Sequence, residues 1–399
     1  MRQGRPEVTS LPTLRERPLD PPDELARLRD REPIARMAYP DGHLGWLVTS
    51  HAAARAVLAD RRFSSRQDLM RASLPHLVAQ EPRTPADPGN FIRLDPPDHT
   101  RYRQLLAGQF TMRRMRDLRP RVEHIVEGLL DEMERGPAEV DLVRCFALPV
   151  ASMVICELLG APYSELDEFQ HHTAVLLTLS STIEQIEESA ISVDEFVRRL
   201  VRRKRQQPTE DLLGRLTTEH DLTDDELANI AFLLLAAGHE TTANMLSLGT
   251  YTLLCHPEQL ERLRAEPALI DDAVEELLRY LTIFHIGPSR TALADVELDG
   301  HLIKAGDTVT LSLSAADRDP DRFVDPDRFD VTRAAGGHLA FGHGVHQCLG
   351  QQLARMQMRV GYAALFRRFP TLRLAVDPAE VPMRADMTIY GLRGLPVSW

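Results

Sequence analysis

No stretch of this chain stays apolar for long enough to cross a bilayer. The longest clearly apolar run, Ile230 to Gly238, falls far short of the roughly 20 residues a spanning helix needs. A secretory leader is missing as well: Met1-Arg2-Gln3-Gly4-Arg5-Pro6 opens onto a polar, proline-rich stretch with no apolar core. These two absences predict a cytoplasmic protein with no membrane span. Cysteine is scarce. Cys145, Cys156, Cys255 and Cys348 lie far apart with no Cys-x-x-Cys spacing, which argues against a disulfide framework and against a structural zinc site. Positive charge is outweighed, with 47 Lys+Arg against 59 Asp+Glu and a net charge of -12. That balance argues against broad attraction to phosphate backbones or anionic lipid, so nucleic acid is not an expected partner.

What is present suits a globular enzyme-sized protein. Hydrophobic residues make up 43% and charged residues 27% of 399 residues, close to the soluble norm and sufficient for a core. Residues 1–22 contain five prolines and no apolar periodicity, so they read as an extended arm. From residue 23 to 399 there is neither an internal repeat nor an interdomain linker, which predicts a single domain. Helical spacing prevails, as in Leu349, Leu353, Met356, Val360 and Ala364. Small sheets are expected where Asp41-Gly42 precedes Trp46-Leu47-Val48, and where Val296 to Ile303 reads as a hairpin with an Asp-Gly turn. The fold class is therefore mainly α with small β-sheets. The loop from Ser64 to Asn90 is long, polar and proline-rich, the character of a lid.

Thr223-Asp224-Asp225-Glu226 has the capping-box form, and no proline follows until Pro257. This predicts one helix of roughly 30 residues, about 45 Å long. Its middle, Ile230 to Ala237, is apolar on all sides, as in a helix through the centre of a large domain.

The chemistry concentrates in Phe341-Gly342-His343-Gly344-Val345-His346-Gln347-Cys348-Leu349-Gly350, a glycine-rich loop that ends in a cysteine where a helix begins. The positive end of a helix lowers a thiol's pKa, and glycines let backbone N–H groups approach sulfur. The site suits a thiolate; a tight turn with a chance cysteine, or a nucleophile paired with His346, are the other readings of the residues. Ala237-Gly238-His239-Glu240-Thr241-Thr242 places a glycine in the long helix, where it costs about 1 kcal/mol relative to alanine. The missing side chain would open space in which an acid and a hydroxyl could hold water and relay protons; a polar patch near the surface is the alternative. It is not a zinc-protease motif, since position 243 is Ala. Glu276-Leu277-Leu278-Arg279 puts a carboxylate and a guanidinium three residues apart, opposite the apolar stripe of Val274, Leu277, Leu278 and Leu281. By pattern alone that is a solvated pair.

The ten-residue loop resembles the haem-ligand loop Phe-x-x-Gly-x-x-x-Cys-x-Gly of the cytochrome P450 monooxygenases, and the order of four motifs agrees from about residue 40 to the C-terminus. The resemblance implies the cytochrome P450 fold, a haem-thiolate monooxygenase domain over residues 23–399 with the long helix over the haem, and haem b with Cys348 as axial ligand of the iron. It makes Phe341, Gly342, His346, Gly350, Ala237 and Gly238 haem contacts, and Glu240 and Thr241 the residues that deliver two protons to dioxygen. It makes Glu276, Arg279 and Arg328 a buried structural set. Asp95 to Arg103 matches the propionate-binding segment through His99 and Arg103, one helical turn apart, with Arg290 and His346 as further propionate contacts. Asp317, where relatives often carry Asn, carries no assigned chemistry, and Pro288 bears on the substrate cavity.

The resemblance further implies insertion of one oxygen atom from O2 into a C–H bond or double bond of an apolar small molecule, with actinobacterial macrolide and polyketide tailoring as the analogy. Electrons would come from NAD(P)H through a ferredoxin reductase and a ferredoxin, docked on the Cys348 side near Arg113, Arg114, Arg355 and Arg359. Substrate contacts are expected from Leu69, Met70 and Leu74, from a helical hairpin around Leu176, from Leu234 and Ala237, from Ile283, Phe284 and Ile286, and from Thr388 and Ile389. A monomer is expected. A peroxide-driven peroxygenase and a haem-thiolate ligand sensor are the alternatives.

Overall fold

The computed structural model describes residues 8–75 and 84–399; residues 1–7 of the arm and 76–83 of the expected lid lie outside them. Along the chain run α1 (Asp23–Arg31), β1 (Ile34–Ala38), β2 (Leu44–Val48), α2 (His51–Ala59), β3 (Phe63–Ser64), α3 (Asp98–Ala107), α4 (Met112–Arg135), β4 (Glu139–Asp141), α5 (Leu148–Leu159), α6 (Leu166–Leu177) and α7 (Ile183–Gln206). Then come α8 (Leu212–Glu219), α9 (Asp224–Cys255), α10 (Pro257–Ala265), α11 (Ile270–Leu281), β5 (Ser289–Ala292), β6 (Val296–Leu298), β7 (His301–Ile303) and β8 (Thr308–Leu311). The last elements are α12 (Leu313–Ala316), α13 (Gln351–Arg368), β9 (Arg373–Leu374) and β10 (Pro396–Ser398). Two compact units emerge, one comprising residues up to 86, 92–100 and 275–349, the other 87–91, 101–274 and 350–399.

The first unit holds a five-stranded sheet in the order β1-β2-β8-β5-β3, antiparallel except where β2 runs parallel to β8. Trp46, Val48, Val309 and Leu311 bury one face of it against Val57 and Leu58 of α2 and against Leu339. The expected Asp-Gly hairpin joins β6 and β7: Asp299 and Gly300 both take positive φ, +47° and +79°, the handed two-residue turn that matches strand twist. The arm lies along this unit. Val8 bridges Met37, and the fully buried Arg318 donates to the Leu19 carbonyl at 3.1 Å and to Asp20 Oδ1 at 3.2 Å.

The second unit is built around α9, 32 residues long, which packs against α5, α7 and α13. Its start is the expected capping box, Thr223 Oγ1 accepting the Glu226 N–H and Glu226 Oε2 accepting the Thr223 N–H. Within the helix, Thr241, Ser247, Thr250 and Thr252 each donate a hydroxyl to the carbonyl four residues back, which lets polar side chains sit in a buried helix. Helices α6 and α7 form the expected hairpin, joined over residues 178–182. A three-stranded sheet, β4-β10-β9, completes the unit. No single helix among the described residues is long and apolar enough to cross a membrane.

Candidate active site

In the first unit the cysteine loop closes on itself: the Cys348 N–H donates to the Phe341 carbonyl at 2.9 Å, and Gly342 and Gly344 take φ of +67° and +73°. At Gly344 a Cβ would lie 2.3 Å from the Leu58 carbonyl oxygen, so only glycine fits both the backbone and this approach to the end of α2. The loop's base is held from outside. The Leu339 N–H donates to Asp317 Oδ1 at 2.7 Å, and the Leu339 carbonyl in turn accepts the Gly342 N–H at 2.7 Å.

Glu276 and Arg279 are completely buried, with Arg279 Nε and Nη2 donating to the two carboxylate oxygens at 2.7 and 2.9 Å. The solvated pair read from the helical wheel is thus corrected: the polar face of α11 is covered, because Arg279 Nη1 also donates to the carbonyls of Asp317 and Pro326. A second correction concerns the third member. Arg328 is 63% exposed at its side chain and comes only to 3.8 Å of Asp330. The arginine that reaches Glu276 is Arg333, with Nε donating to Oε1 at 3.0 Å. Arg328 contributes its backbone carbonyl to Arg333 instead. The segment is irregular here, so motif position alone did not reveal which arginine points inward.

Arg290 on β5 is buried, donates Nη1 to the Ser289 carbonyl at 2.8 Å, and makes no ion pair among the described residues. Burial pushes its guanidinium down to about 10, the nearby charge of Arg93 pushes the same way, and Asp95 opposes both. Asp95 is already engaged, accepting the Ser64 hydroxyl and the Ser65 N–H. His99 is buried with its ring 4.2 Å from that of His346. Arg103 follows one turn later on α3 and is half-buried. Arg93 carries no sequence signal and was missed; burial also holds its guanidinium below the ordinary value. A buried arginine that makes no ion pair among the described residues, with a second guanidinium near it, and the two neighbouring imidazoles of His99 and His346 are donors suited to a ligand bearing carboxylates. The two propionates of a haem are chemically such a ligand.

In the second unit, α9 is buried along most of its length, yet Ala237 is exposed and Ala236, Gly238 and Thr241 are partly so. The space expected beside Gly238 is filled: a Cβ there would lie 2.7 Å from Ile155 Cδ1, so the glycine is explained by close packing of α5 on α9 rather than by an opening. Glu240 is buried and accepts from Arg384 Nη1 at 2.8 Å through Oε2; its Oε1 lies 3.9 Å from His239 Nε2. His239 is held below its ordinary pKa by burial, with Arg384 adding to the effect against Glu240 and the Leu235 carbonyl. Thr241 Oγ1 donates to the Ala237 carbonyl at 2.7 Å. Arg384 was also missed, since nothing in the sequence couples position 384 to position 240.

The expected substrate contacts divide between the units. In the first, the Leu69 carbonyl accepts the Thr291 hydroxyl next to Arg290, and Met70 Sδ lies 2.8 Å from Arg93 Nη1; Leu74 and Ile283 are buried, Ile286 is half-buried and Phe284 is exposed. In the second, Thr388 N–H donates to the Leu177 carbonyl at 3.1 Å, bringing Thr388 and Ile389 to the α6–α7 link beside Leu176, while Leu234 is buried in α9. Of the expected docking arginines, Arg113 is exposed, Arg114 and Arg355 are half-buried, and Arg359 is tied to Asp271 at 2.6 Å.

The family model described as Cytochrome P450 matches residues 170–384. Cytochrome P450 105C1 of a Streptomyces species is 49% identical over 400 residues, covering 100% of both chains, so the similarity extends beyond the span that begins near residue 40. The crystal structure of CYP105P1 in complex with filipin I superposes with a TM-score of 0.93 at 41% identity, over 98% of this chain and 99% of that one. The mycinamicin VIII C21 methyl hydroxylase MycCI of Micromonospora griseorubida, bound to mycinamicin VIII, gives 0.91 at 37%, over 98% of this chain and 100% of that one.

Proposed function

The chain belongs to the cytochrome P450 family and is a haem-thiolate monooxygenase, and from that premise we propose that it hydroxylates or epoxidises an apolar macrolide-type secondary metabolite. The relative that is a methyl hydroxylase bound to mycinamicin VIII supports that substrate class. The overall change consumes the substrate C–H, O2, two electrons and two protons, and yields the C–OH and one water. When bound, the haem supplies dioxygen activation, favoured by thiolate ligation.

The residues of this chain have the following parts. Cys348 would ligate the iron, held in its loop by the N–H bond to Phe341. Arg290, Arg103, His99 and His346 would bind the propionates, and Phe341, Gly342, Gly350, Ala237 and Gly238 would border the macrocycle. Glu240 would take protons from water and Thr241 would present them at the oxygen site; both can move a proton only by exchanging the hydrogen bonds they make to Arg384 and the Ala237 carbonyl. Glu276, Arg279 and Arg333 keep the first unit rigid around the ligand loop. Electrons would arrive from NAD(P)H through a reductase and a ferredoxin, docking near Arg113, Arg114 and Arg355. The protein would act as a cytoplasmic monomer.

The observation that carries this reading is the Phe341–Cys348 loop in a chain of this family. Its test is the carbon monoxide difference spectrum of reduced protein, which should show the long-wavelength thiolate maximum in wild type and lose it in Cys348→Ala. With plant-type ferredoxin, its reductase and NADPH, a macrolide that shifts the spin state should gain one oxygen by mass spectrometry. Thr241→Ala should keep the spectrum and divert electrons to peroxide; full coupling in that variant overturns the relay. Ligand binding without product would make the protein a sensor, and turnover with peroxide alone a peroxygenase.

A further inference from the structure

The acid of the relay is tied to a C-terminal hairpin. Met383 bridges Leu392, and the Arg384 N–H donates to the Gly391 carbonyl at 2.8 Å, so residues 384–391 form a closed loop. Its stem lies close on α9 one turn beyond Glu240: at Gly391 a Cβ would fall 1.9 Å from Asn244 Oδ1, an approach that the missing side chain allows. From that stem Arg384 reaches Glu240 Oε2, in an ion pair whose side chains are 16% and 6% exposed. The tip of the same hairpin is bonded to the α6–α7 link. Met387 bridges Thr178, the Leu179 N–H donates to the Asp386 carbonyl at 2.8 Å, the Thr388 N–H donates to the Leu177 carbonyl, and the Thr178 hydroxyl approaches Met387 Sδ at 3.0 Å. An eight-residue element therefore connects the helical hairpin that borders the substrate residues to the carboxylate assigned to proton transfer.

Both relay groups are committed in this arrangement, Glu240 to Arg384 and Thr241 to the Ala237 carbonyl. A carboxylate held by a buried guanidinium is fixed in direction and costly to move while the pair persists. We propose that Arg384 is a positioning residue that latches Glu240, and that the α6–α7 link, through Thr178 and Met387, sets whether the latch is closed. This rests on the assignment of Glu240 to the relay. At rest the link holds the hairpin, the hairpin holds Arg384, and proton delivery is slow; a ligand that displaces the link loosens the hairpin and frees the acid. A tie of this kind limits wasteful oxidation of NADPH when no substrate is bound, because peroxide-forming cycles also need protons.

The test uses holoenzyme with plant-type ferredoxin, its NADPH reductase and no substrate. Arg384→Gln should raise substrate-free NADPH oxidation and peroxide release several-fold and lower the solvent deuterium isotope effect on that rate, while Arg384→Lys, which can still pair, should stay within twofold of wild type. In a Glu240→Gln background the Arg384→Gln change should have no further effect. Hydrogen exchange read without turnover supplies the second measurement: clotrimazole, a bulky azole, should change protection of residues 177–182 and 383–391 together in wild type, and Met387→Ala should uncouple the two segments. The latch is overturned if Arg384→Gln leaves rate and isotope effect at wild type, if its effect persists in Glu240→Gln, or if the two segments respond independently. Failure of the relay assignment itself looks different: Glu240→Gln would then leave the rate and solvent isotope effect of turnover unchanged with the spin-shifting macrolide bound, where the latch is open.

Discussion

The Asp317 carboxylate accepts the Leu339 N–H at 2.7 Å, two residues before the loop that carries the cysteine. Its other oxygen accepts the Thr282 hydroxyl at 2.8 Å, and its carbonyl accepts Arg279 Nη1, so one side chain links the end of α11 to the base of the ligand loop. Asp317→Ala strands two buried donors, at about 1–3 kcal/mol each, and denaturant unfolding should report that loss. Asp317→Asn keeps an acceptor for Leu339 and should be far milder. Burial raises the Asp317 pKa, so the native state binds this proton more tightly than the unfolded chain. Wild-type stability relative to Asp317→Asn should therefore fall as pH rises from the ordinary carboxylate range through the raised native value, then level off.

Arg333 and Arg328 should separate cleanly. Arg333→Ala removes one of two arginines from fully buried Glu276 and the bonds to the carbonyls of Val324, Asp325 and Arg328, which should cost about 1.5–3 kcal/mol because Arg279 still pairs the carboxylate. Arg328→Ala, at an exposed side chain, should stay within about 0.5 kcal/mol. Thermal unfolding of the two variants checks the assignment.

At the start of α9, Glu226 resists a burial effect that would raise its pKa: hydrogen bonds from Tyr102, the Thr223 N–H and Arg101 override it and hold the carboxyl down at about 2. Its contribution is complete above the ordinary glutamate value of 4.5 and disappears as pH falls toward about 2. The stability difference between wild type and Glu226→Gln, measured in urea from about pH 6 down to about pH 2, should shrink steadily on acidification.

Arg290 should act with opposite signs in the two forms of the protein. Without haem, its buried charge is a burden, and Arg290→Leu should unfold at the same or higher temperature. With haem, loss of the propionate partner should speed haem transfer to apomyoglobin several-fold. Equal transfer rates in wild type and variant would remove Arg290 from the propionate site.

Local chemistry decided much of this protein before any folding. The capping box at Thr223 set where α9 begins, Asp299-Gly300 specified a hairpin turn that only positive φ can make, and the glycines around Cys348 reserved a backbone path that side chains would block. Each depends on neighbours within a few positions, which is why the fold class and the backbone course of the cysteine loop were legible. Burial and long-range pairing were not. The Glu276–Arg279 pair sits on the polar side of its helix, and only the covering segment from 317 to 333 makes it buried; the third cation proved to be Arg333 because an irregular loop turned that side chain inward and Arg328 outward. Gly238 suggests an opening by sequence, but Ile155 of α5 packs against it, and Arg384 meets Glu240 across 144 positions. Such contacts are set by how helices pack and where hairpins end, quantities that no short window of residues contains.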